Sequence, residues 1–335
     1  MKALIMSAGV GNRLEPLTLA IPKPLVPVCN TPVMQMNIEL LKKNGIRDIA
    51  ANLHYFPEQI RNYFDSGKTF GVSIKYSFEE CLLGTAGGVL KMASSTGLTD
   101  DDFLVLSSDV VMDLDLKKLI AFHKKKKAAA TIALVEVDDP SEYGAVITSG
   151  DERITAFQEK PKKEEALSRT INTGVYVLGK EILDIIKKNR FRDFGREVFP
   201  YMVREGLPLY GHKVDSYWKD IGTLQSYIQA NFDTAGKKAV IGAGSKISRD
   251  AVLEGSVIIG ENCIIRGGAV IRDSIIWRDT IVDADSVVDS SIIGSWCYLE
   301  SSSRVDRGCT IANRCRVKSG SVVPTGTSMV PDQIM

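Results

Sequence analysis

From Ile241 onward the chain keeps a period of six, and that period narrows what it can fold into more than any other feature. Ile241, Ile247, Leu253, Ile259, Ile265, Ile271 and Trp277 are spaced by six residues. After a one-residue slip come Val282 and Val288, and after another come Ile293, Leu299, Val305, Ile311, Val317 and Val323. Four residues after most of these stands a small or compact side chain, such as Ser245, Ala251, Cys263, Ala269, Ser286, Cys297, Ser303, Cys309 or Cys315. A hexapeptide period means a parallel β-helix, with three short strands to each triangular coil. The aliphatic residue points into the narrow core and the small one fits beside the corner. About fourteen hexads make four to five coils. Cys263, Cys297, Cys309 and Cys315 then read as core fillers, and no cysteine belongs to a CxxC pair that would suggest zinc. A stack of coils ends in open strand edges, which need a cover. The terminal "VVPTGTSMVPDQIM" is expected to cover one end, and the helix leading into the coils the other.

The first part has a different rhythm. "TPVMQMNIELLKKNG" reads as a helix with Thr31 as N-cap, Pro32 in the first turn and Gly45 at the stop. "IRDIAANL" reads as a strand, "PEQIRNYF" as a helix, "VSIKYSF" as a strand, "TAGGVLKM" as a helix, "DFLVLSSD" as a strand and "LKKLIAFHKKKK" as a helix. Such alternation predicts helices on both faces of a mostly parallel sheet, whose ligands bind beyond the carboxyl ends of the strands. "GTLQSYIQANFDTAGKK" reads as a helix linking the halves, ending near Gly236.

With 335 residues and a net charge of +1, the chain gives no global electrostatic support for nucleic acid or an anionic membrane, so any anion site must be local. The apolar runs are too short to span a bilayer, and "MKALIM" reaches Gly9 and Arg13 too soon for a signal peptide. A cytosolic protein is the expectation. His54, His123 and His212 are isolated and make no metal spacing.

After the apolar "MKALIM" comes "SAGVGNRLEPLTLAIPKPL". No Gly-Lys-Ser/Thr follows, and Leu14 stands where a dinucleotide fingerprint has its third glycine. What remains is a glycine turn whose N–H groups can approach a phosphate, with Arg13 and Lys23 on a proline-stiffened loop.

The series "AGVGNRLEPLT", "PKPLVPV", "GTAGG" (Gly84–Gly88), the strand-end Asp109, "EKP" (Glu159–Pro161), "NTGVY" (Asn172–Tyr176) and "WKDIGT" (Trp218–Thr223) resembles the sugar nucleotidyltransferase family. "DPSEYGAVI", "EVFPYMVREG", the β-helical tail and "PDQIM" are similar to its mannose-1-phosphate guanylyltransferase branch. The resemblance implies an α/β, Rossmann-like nucleotidyltransferase domain with a mixed, mostly parallel sheet over residues 1–236. A left-handed parallel β-helix would follow over 237–335.

By this resemblance, a sugar 1-phosphate oxygen attacks the α-phosphorus of a nucleoside triphosphate and pyrophosphate leaves. GTP and mannose 1-phosphate are the expected pair. The alternatives are a glucose-1-phosphate thymidylyl-, uridylyl- or adenylyltransferase, or a catalytically silent regulatory subunit. The implied catalytic cations are Arg13, on the departing pyrophosphate, and Lys23, near the α-phosphate. Ala8, Gly9, Gly11, Glu80, Gly84, Thr85 and Gly87 would bind the nucleotide. Gly144, Glu159, Lys160, Asn172 and Gly174 would bind the sugar phosphate, and Asp109 and Asp220 would hold Mg²⁺. Asn12 departs from the family's Thr or Ser, and Ser108 from its frequent Gly, which bears on the fine geometry of loop and metal acid. Some hexapeptide tails house an acyltransferase with a β-helix histidine as base. Every histidine here lies at or before His212, so the tail is expected to associate copies of the chain rather than to catalyse.

Overall fold

The computed structural model describes residues 1–97, 101–236 and 238–335. The chain forms two compact units: Met1–Gly9 with Met34–Lys219, and Val10–Val33 with Asp220–Met335. Lys237, the residue at which the β-helix was expected to begin, lies outside the described residues.

The first unit is built on a mixed sheet with nine strands among the described residues. Ser73–Phe78, Asp48–Leu53, Lys2–Met6 and Phe103–Ser107 lie side by side in that order, all parallel. The chain therefore starts in the middle, builds outward to one side, and then crosses to the other. The carboxyl ends of Lys2–Met6 and Phe103–Ser107 flank the point of reversal, where an open α/β sheet leaves a crevice for ligands. Ser108 continues the pairing there, donating its N–H to the Met6 carbonyl at 3.1 Å. Beyond Phe103–Ser107 the sheet turns antiparallel with Thr170–Leu178, which also pairs with Gly144–Thr148 and Ala130–Glu136. Leu4, Val105, Ile132, Tyr176, Phe194 and Phe199 anchor one core cluster.

The helix expected to start at Thr31 begins at Val33 and runs to Lys43. Thr31–Pro32 instead pairs with Pro27–Val28 across Cys29 and Asn30, whose φ values are 45° and 69°. Two consecutive left-handed residues make the hairpin turn whose twist matches its strands, and it claims Thr31 before the helix can. Gly45 does end the helix region, at φ 82°.

Among the described residues of the second unit, three parallel sheets of six, five and five short strands form the faces of the left-handed β-helix. The strands stack in register, so that Ile259, Ile276, Ile293 and Ile311 fall in one column. Ile276 rather than Trp277 thus holds the core position, and the first slip comes before it, at the Asp273 corner (φ 41°). The slip shortens one coil without disturbing the columns, because a corner can lose a residue while a paired strand cannot. Trp277 is still buried, against the helix Leu224–Ala235, where its Nε1 donates to Tyr227 Oη at 2.8 Å. All four coil cysteines are buried.

The ends differ from expectation. Ser328–Met329 adds a further strand, and Met335 pairs by backbone with Arg316 and Lys318. The terminal segment extends the stack instead of folding over it. At the other end Ile241 is 49% exposed, so the linking helix leans on the side of the coils and leaves the first one open.

Stacking between Ile259 and Ile293 makes Ile276 the more demanding of the two adjacent apolar residues. Ile276→Ala should cost about 2–5 kcal/mol in urea unfolding. A loss below about 1 kcal/mol would contradict the observed register.

Candidate functional site

At the carboxyl edge of the parallel strands, the first unit gathers several polar groups. Ser7 follows Lys2–Met6, with its N–H donating to Asn52 Oδ1 (2.7 Å) and its hydroxyl to the Asn52 carbonyl (2.6 Å). Asn52 Nδ2 donates to Glu79 Oε1 (2.8 Å), and Glu79 Oε2 accepts from the Leu83 N–H (3.0 Å). This buried chain fixes the start of the turn at Ala8 and Gly9, of which Ala8 is buried and Gly9 exposed. Asn52 and Glu79 are absent from the sequence-based candidates. Glu79 is 1% exposed, while its neighbour Glu80 faces solvent. Asp109 follows the strand Phe103–Ser107, and Ser107 Oγ donates to its Oδ1 at 2.5 Å. Ser108 stays out of the left-handed region, so its replacement of glycine strains nothing.

The "GTAGG" segment is the first turn of the helix Gly84–Thr96. The N–H groups of Ala86 and Gly87 donate to the Arg192 carbonyl (2.8 and 3.3 Å). Thr85 Oγ1 donates to Asp193 Oδ2 (3.2 Å) and accepts from the Phe194 N–H (2.9 Å). The amides of Ala86 and Gly87 and the Thr85 hydroxyl are thus engaged in docking this helix against residues 192–194, and Gly84, at φ 78°, opens the turn. The partner segment Phe194–Val198 winds as one turn of π-helix, a feature no local pattern announced.

"NTG" is a β-bulge. The register between Thr170–Leu178 and Ala130–Glu136 shifts between Asn172 and Tyr176, with Gly174 at φ 79°. A bulge re-aims side chains. Here Asn172 Oδ1 accepts from the Gly174 N–H (2.9 Å), and its Nδ2 donates to Tyr176 Oη (3.0 Å). Glu159 ends the strand Ile154–Glu159 opposite Gly144. Burial and then the charge of Asp193 push its carboxyl above the ordinary glutamate value, while Lys160 and Arg196 oppose the rise. Lys160 is exposed with φ 46°, its N–H donating to the Tyr143 carbonyl at 2.9 Å.

Arg13, Lys23, Gly11 and Asp220 belong to the second unit. Gly11 takes a left-handed conformation (φ 81°), and Asn12 starts the 3₁₀ turn Asn12–Leu14. Lys23 begins another such turn, Lys23–Leu25, and is 8% exposed. A side chain on Gly11 would come within 3.1 Å of Lys23 Cβ, so this glycine also lets the lysine stem lie close. A methyl group on Gly222 would collide with Asp220 Oδ2 and come within 3.1 Å of Arg13 Nη2. The bare Gly222 backbone is what admits the carboxylate and the guanidinium side by side.

A mixed sheet with polar strand ends at its reversal point and a glycine–proline loop bearing two cations belong to a known type. Residues 2–237 match the nucleotidyl transferase family, and this chain belongs to it. Residues 225–323 match the left-handed β-helix domain of the EIF2B epsilon subunit. A UTP–glucose-1-phosphate uridylyltransferase of Synechocystis is 42% identical over 241 residues, which are 69% of this chain and 62% of that protein. A mannose-1-phosphate guanylyltransferase of Mycobacterium tuberculosis is 32% identical over 271 residues, 77% of this chain and 74% of that one. A solved structure from Bacillus anthracis, described as a glucose-1-phosphate thymidylyltransferase in complex with sucrose, superimposes with a TM-score of 0.64 at 25% identity. It covers 71% of this chain and 96% of its own. No helix among the described residues is long and apolar enough to cross a membrane.

The state of Glu159 can be read in a pH profile. Its raised pKa means the carboxylate becomes neutral, with one oxygen turned from acceptor to donor, at a higher pH than a solvated glutamate would. Activity governed by Glu159 should fall as pH drops through that raised value. Asp193→Asn should move this acid limb down, and Glu159→Gln should abolish it. An acid limb unchanged in both variants would remove Glu159 from the site.

Proposed function

We propose that this chain transfers a nucleotidyl group from GTP to mannose 1-phosphate, releasing pyrophosphate. The observation that carries the reading is the reversal point of the sheet, where Ser7–Gly9 and Asp109 follow adjacent parallel strands. A phosphate-approaching turn and a carboxylate at one crevice suit a substrate that carries phosphates. A sugar phosphate oxygen bonds to the α-phosphorus as the bond to the β-phosphate bridging oxygen breaks, and its electron pair leaves on pyrophosphate. Positioning and charge compensation do most of the work in such a step. Arg13 holds the departing pyrophosphate with its planar fork, and Lys23 meets charge at the α-phosphate. Ala8, Gly9, Gly11, Glu80, Gly84, Thr85 and Gly87 line the nucleotide. Gly144, Glu159, Lys160, Asn172 and Gly174 hold the sugar phosphate, with Lys160 on the phosphate and Glu159 and Asn172 on hydroxyls. A second pairing, UTP with glucose 1-phosphate, is favoured by the 42% identity to the uridylyltransferase.

Asp109 and Asp220 are the residues assigned to Mg²⁺. Among the described residues no three His, Cys, Asp or Glu side chains cluster at metal distance. A donor set of two hard carboxylates, completed by phosphate oxygens and water, suits Mg²⁺ better than a softer ion. The ion when bound offsets phosphate charge. The β-helix is assigned to association of copies of the chain, which light scattering would show as a mass above that of one chain; a single-chain mass would contradict it.

The test is pyrophosphate release from each of four nucleoside triphosphates with mannose or glucose 1-phosphate. GTP with mannose 1-phosphate should give the highest kcat/KM. Activity highest with UTP and glucose 1-phosphate would establish the second pairing, and no release with any pair would contradict the reading. In the same assay Asp109→Asn and Asp220→Asn should lower turnover by orders of magnitude. Near-normal turnover at limiting Mg²⁺ would take that acid out of the metal site.

The two cations should separate kinetically. Arg13→Ala should impair triphosphate use and Lys160→Ala sugar phosphate use, each by about 30- to 150-fold, the scale of a lost charge-assisted contact. Matching patterns of loss in the two variants would contradict this division.

A further inference from the structure

We infer that the β-helix is a positioning part of the transferase site, acting on Lys23 through a buried hydrogen-bond relay. This rests on the reading of Lys23 as a group that meets the α-phosphate. Tyr227, on the helix Leu224–Ala235, is fully buried, and its hydroxyl is used twice. It accepts from Trp277 Nε1 of the third coil at 2.8 Å and donates to the Pro27 carbonyl at 2.8 Å. Two further bonds tie the same hairpin to the same support. Asn30 Nδ2 donates directly to the Ile259 carbonyl of the coils (2.8 Å). The Cys29 N–H donates to Oδ1 of the buried Asn231, one turn along the helix from Tyr227 (2.9 Å).

The hairpin needs such support. Its turn holds two non-glycine residues in left-handed conformations, Cys29 among them, an uncommon state that persists only where surroundings impose it. Lys23 is bonded into the same piece of chain. The Val26 N–H donates to the Lys23 carbonyl (3.0 Å), and the Val33 N–H closes the hairpin on the Val26 carbonyl (3.1 Å). With Lys23 almost buried and packed beside Gly11, its ammonium has little freedom to compensate if Pro27 moves. Hydrophobic packing alone would be served by a phenylalanine at 227. A hydroxyl with both its bonding roles filled inside a dry interior fixes position as well. Trp277, Tyr227, Asn231 and Asn30 are therefore positioning residues.

The experiment uses the full-length chain and two variants that remove one donor each. Trp277→Phe keeps an aromatic ring. Asn30→Gly keeps the left-handed turn and lies outside the coils, so it reports even if Trp277→Phe folds poorly. Each should lower kcat about tenfold, the effect of a sub-ångström displacement, with KM for both substrates within about twofold of the parent's. In a Lys23→Ala background neither should lower the residual kcat further. Val305→Ala, a core truncation in the coil after that of Trp277, should lower stability while leaving kcat unchanged. An unchanged kcat in both donor variants, or an equal loss with and without Lys23, overturns the inference. A Lys23→Ala enzyme with the parent's kcat overturns the reading of Lys23 itself, and the inference with it, by a pattern distinct from the additive one.

Discussion

The Tyr227 hydroxyl is the bond on which the second unit turns. Leaving a buried hydroxyl without its partners costs about 1–3 kcal/mol, so neither Trp277 nor the Pro27 carbonyl can leave it cheaply. This is why Val10–Val33, a segment from the start of the chain, belongs to one compact unit with Asp220–Met335. The loop has little means of holding itself. It consists of 3₁₀ turns, prolines and a six-residue hairpin, too short to be stable alone. Its order is borrowed from a stack whose columns of Ile, Val and Leu are buried along most of their length.

The first unit follows a different constraint. Starting a parallel sheet in its middle creates a reversal point, and the chain places its polar strand ends there. The buried series Ser7, Asn52, Glu79 and the Leu83 amide links three of these ends before any substrate arrives. Glu79 carries out this structural task, which leaves Glu80 to solvent. The bulge at Asn172–Tyr176 applies the same logic on the antiparallel side, giving up regular pairing to direct one side chain. Glu159 stands near Asp193 with its pKa raised, and Asp193 is itself tied to Thr85 of the helix at "GTAGG". A change at Thr85 can therefore reach the Glu159 carboxyl through one residue.

Much of this was legible in the residues. The six-residue period announced the coils, and alternating strands and helices announced the sheet and the strand ends that matter. What escaped was set by contacts distant in sequence. Ile276 and Trp277 are adjacent and both apolar, so the slip could be placed on either side of the pair until the stacked strands showed which one lies in the column. Thr31 and Pro32 carry a good helix start, but the Cys29–Asn30 turn uses them first. Glu79 and Glu80 cannot be ranked by spacing, because burial depends on Asn52. The tail's two prolines suggested a cover, whereas Arg316 and Lys318 offered an open strand edge that the last residues pair with. The tie between coils and loop left no local trace at all, since Pro27, Tyr227 and Trp277 lie far apart in the chain.

Amide hydrogen exchange tests the central claim most directly, because it reads the loop's dependence on the coils without reference to turnover. The Cys29 and Val33 amides should be protected in the parent chain. In Tyr227→Phe they should exchange at least about tenfold faster, while the amides of Ile311 and Val317 keep their protection. Unchanged protection at Cys29 and Val33 in that variant would show that the loop stands without the relay, and would contradict the account.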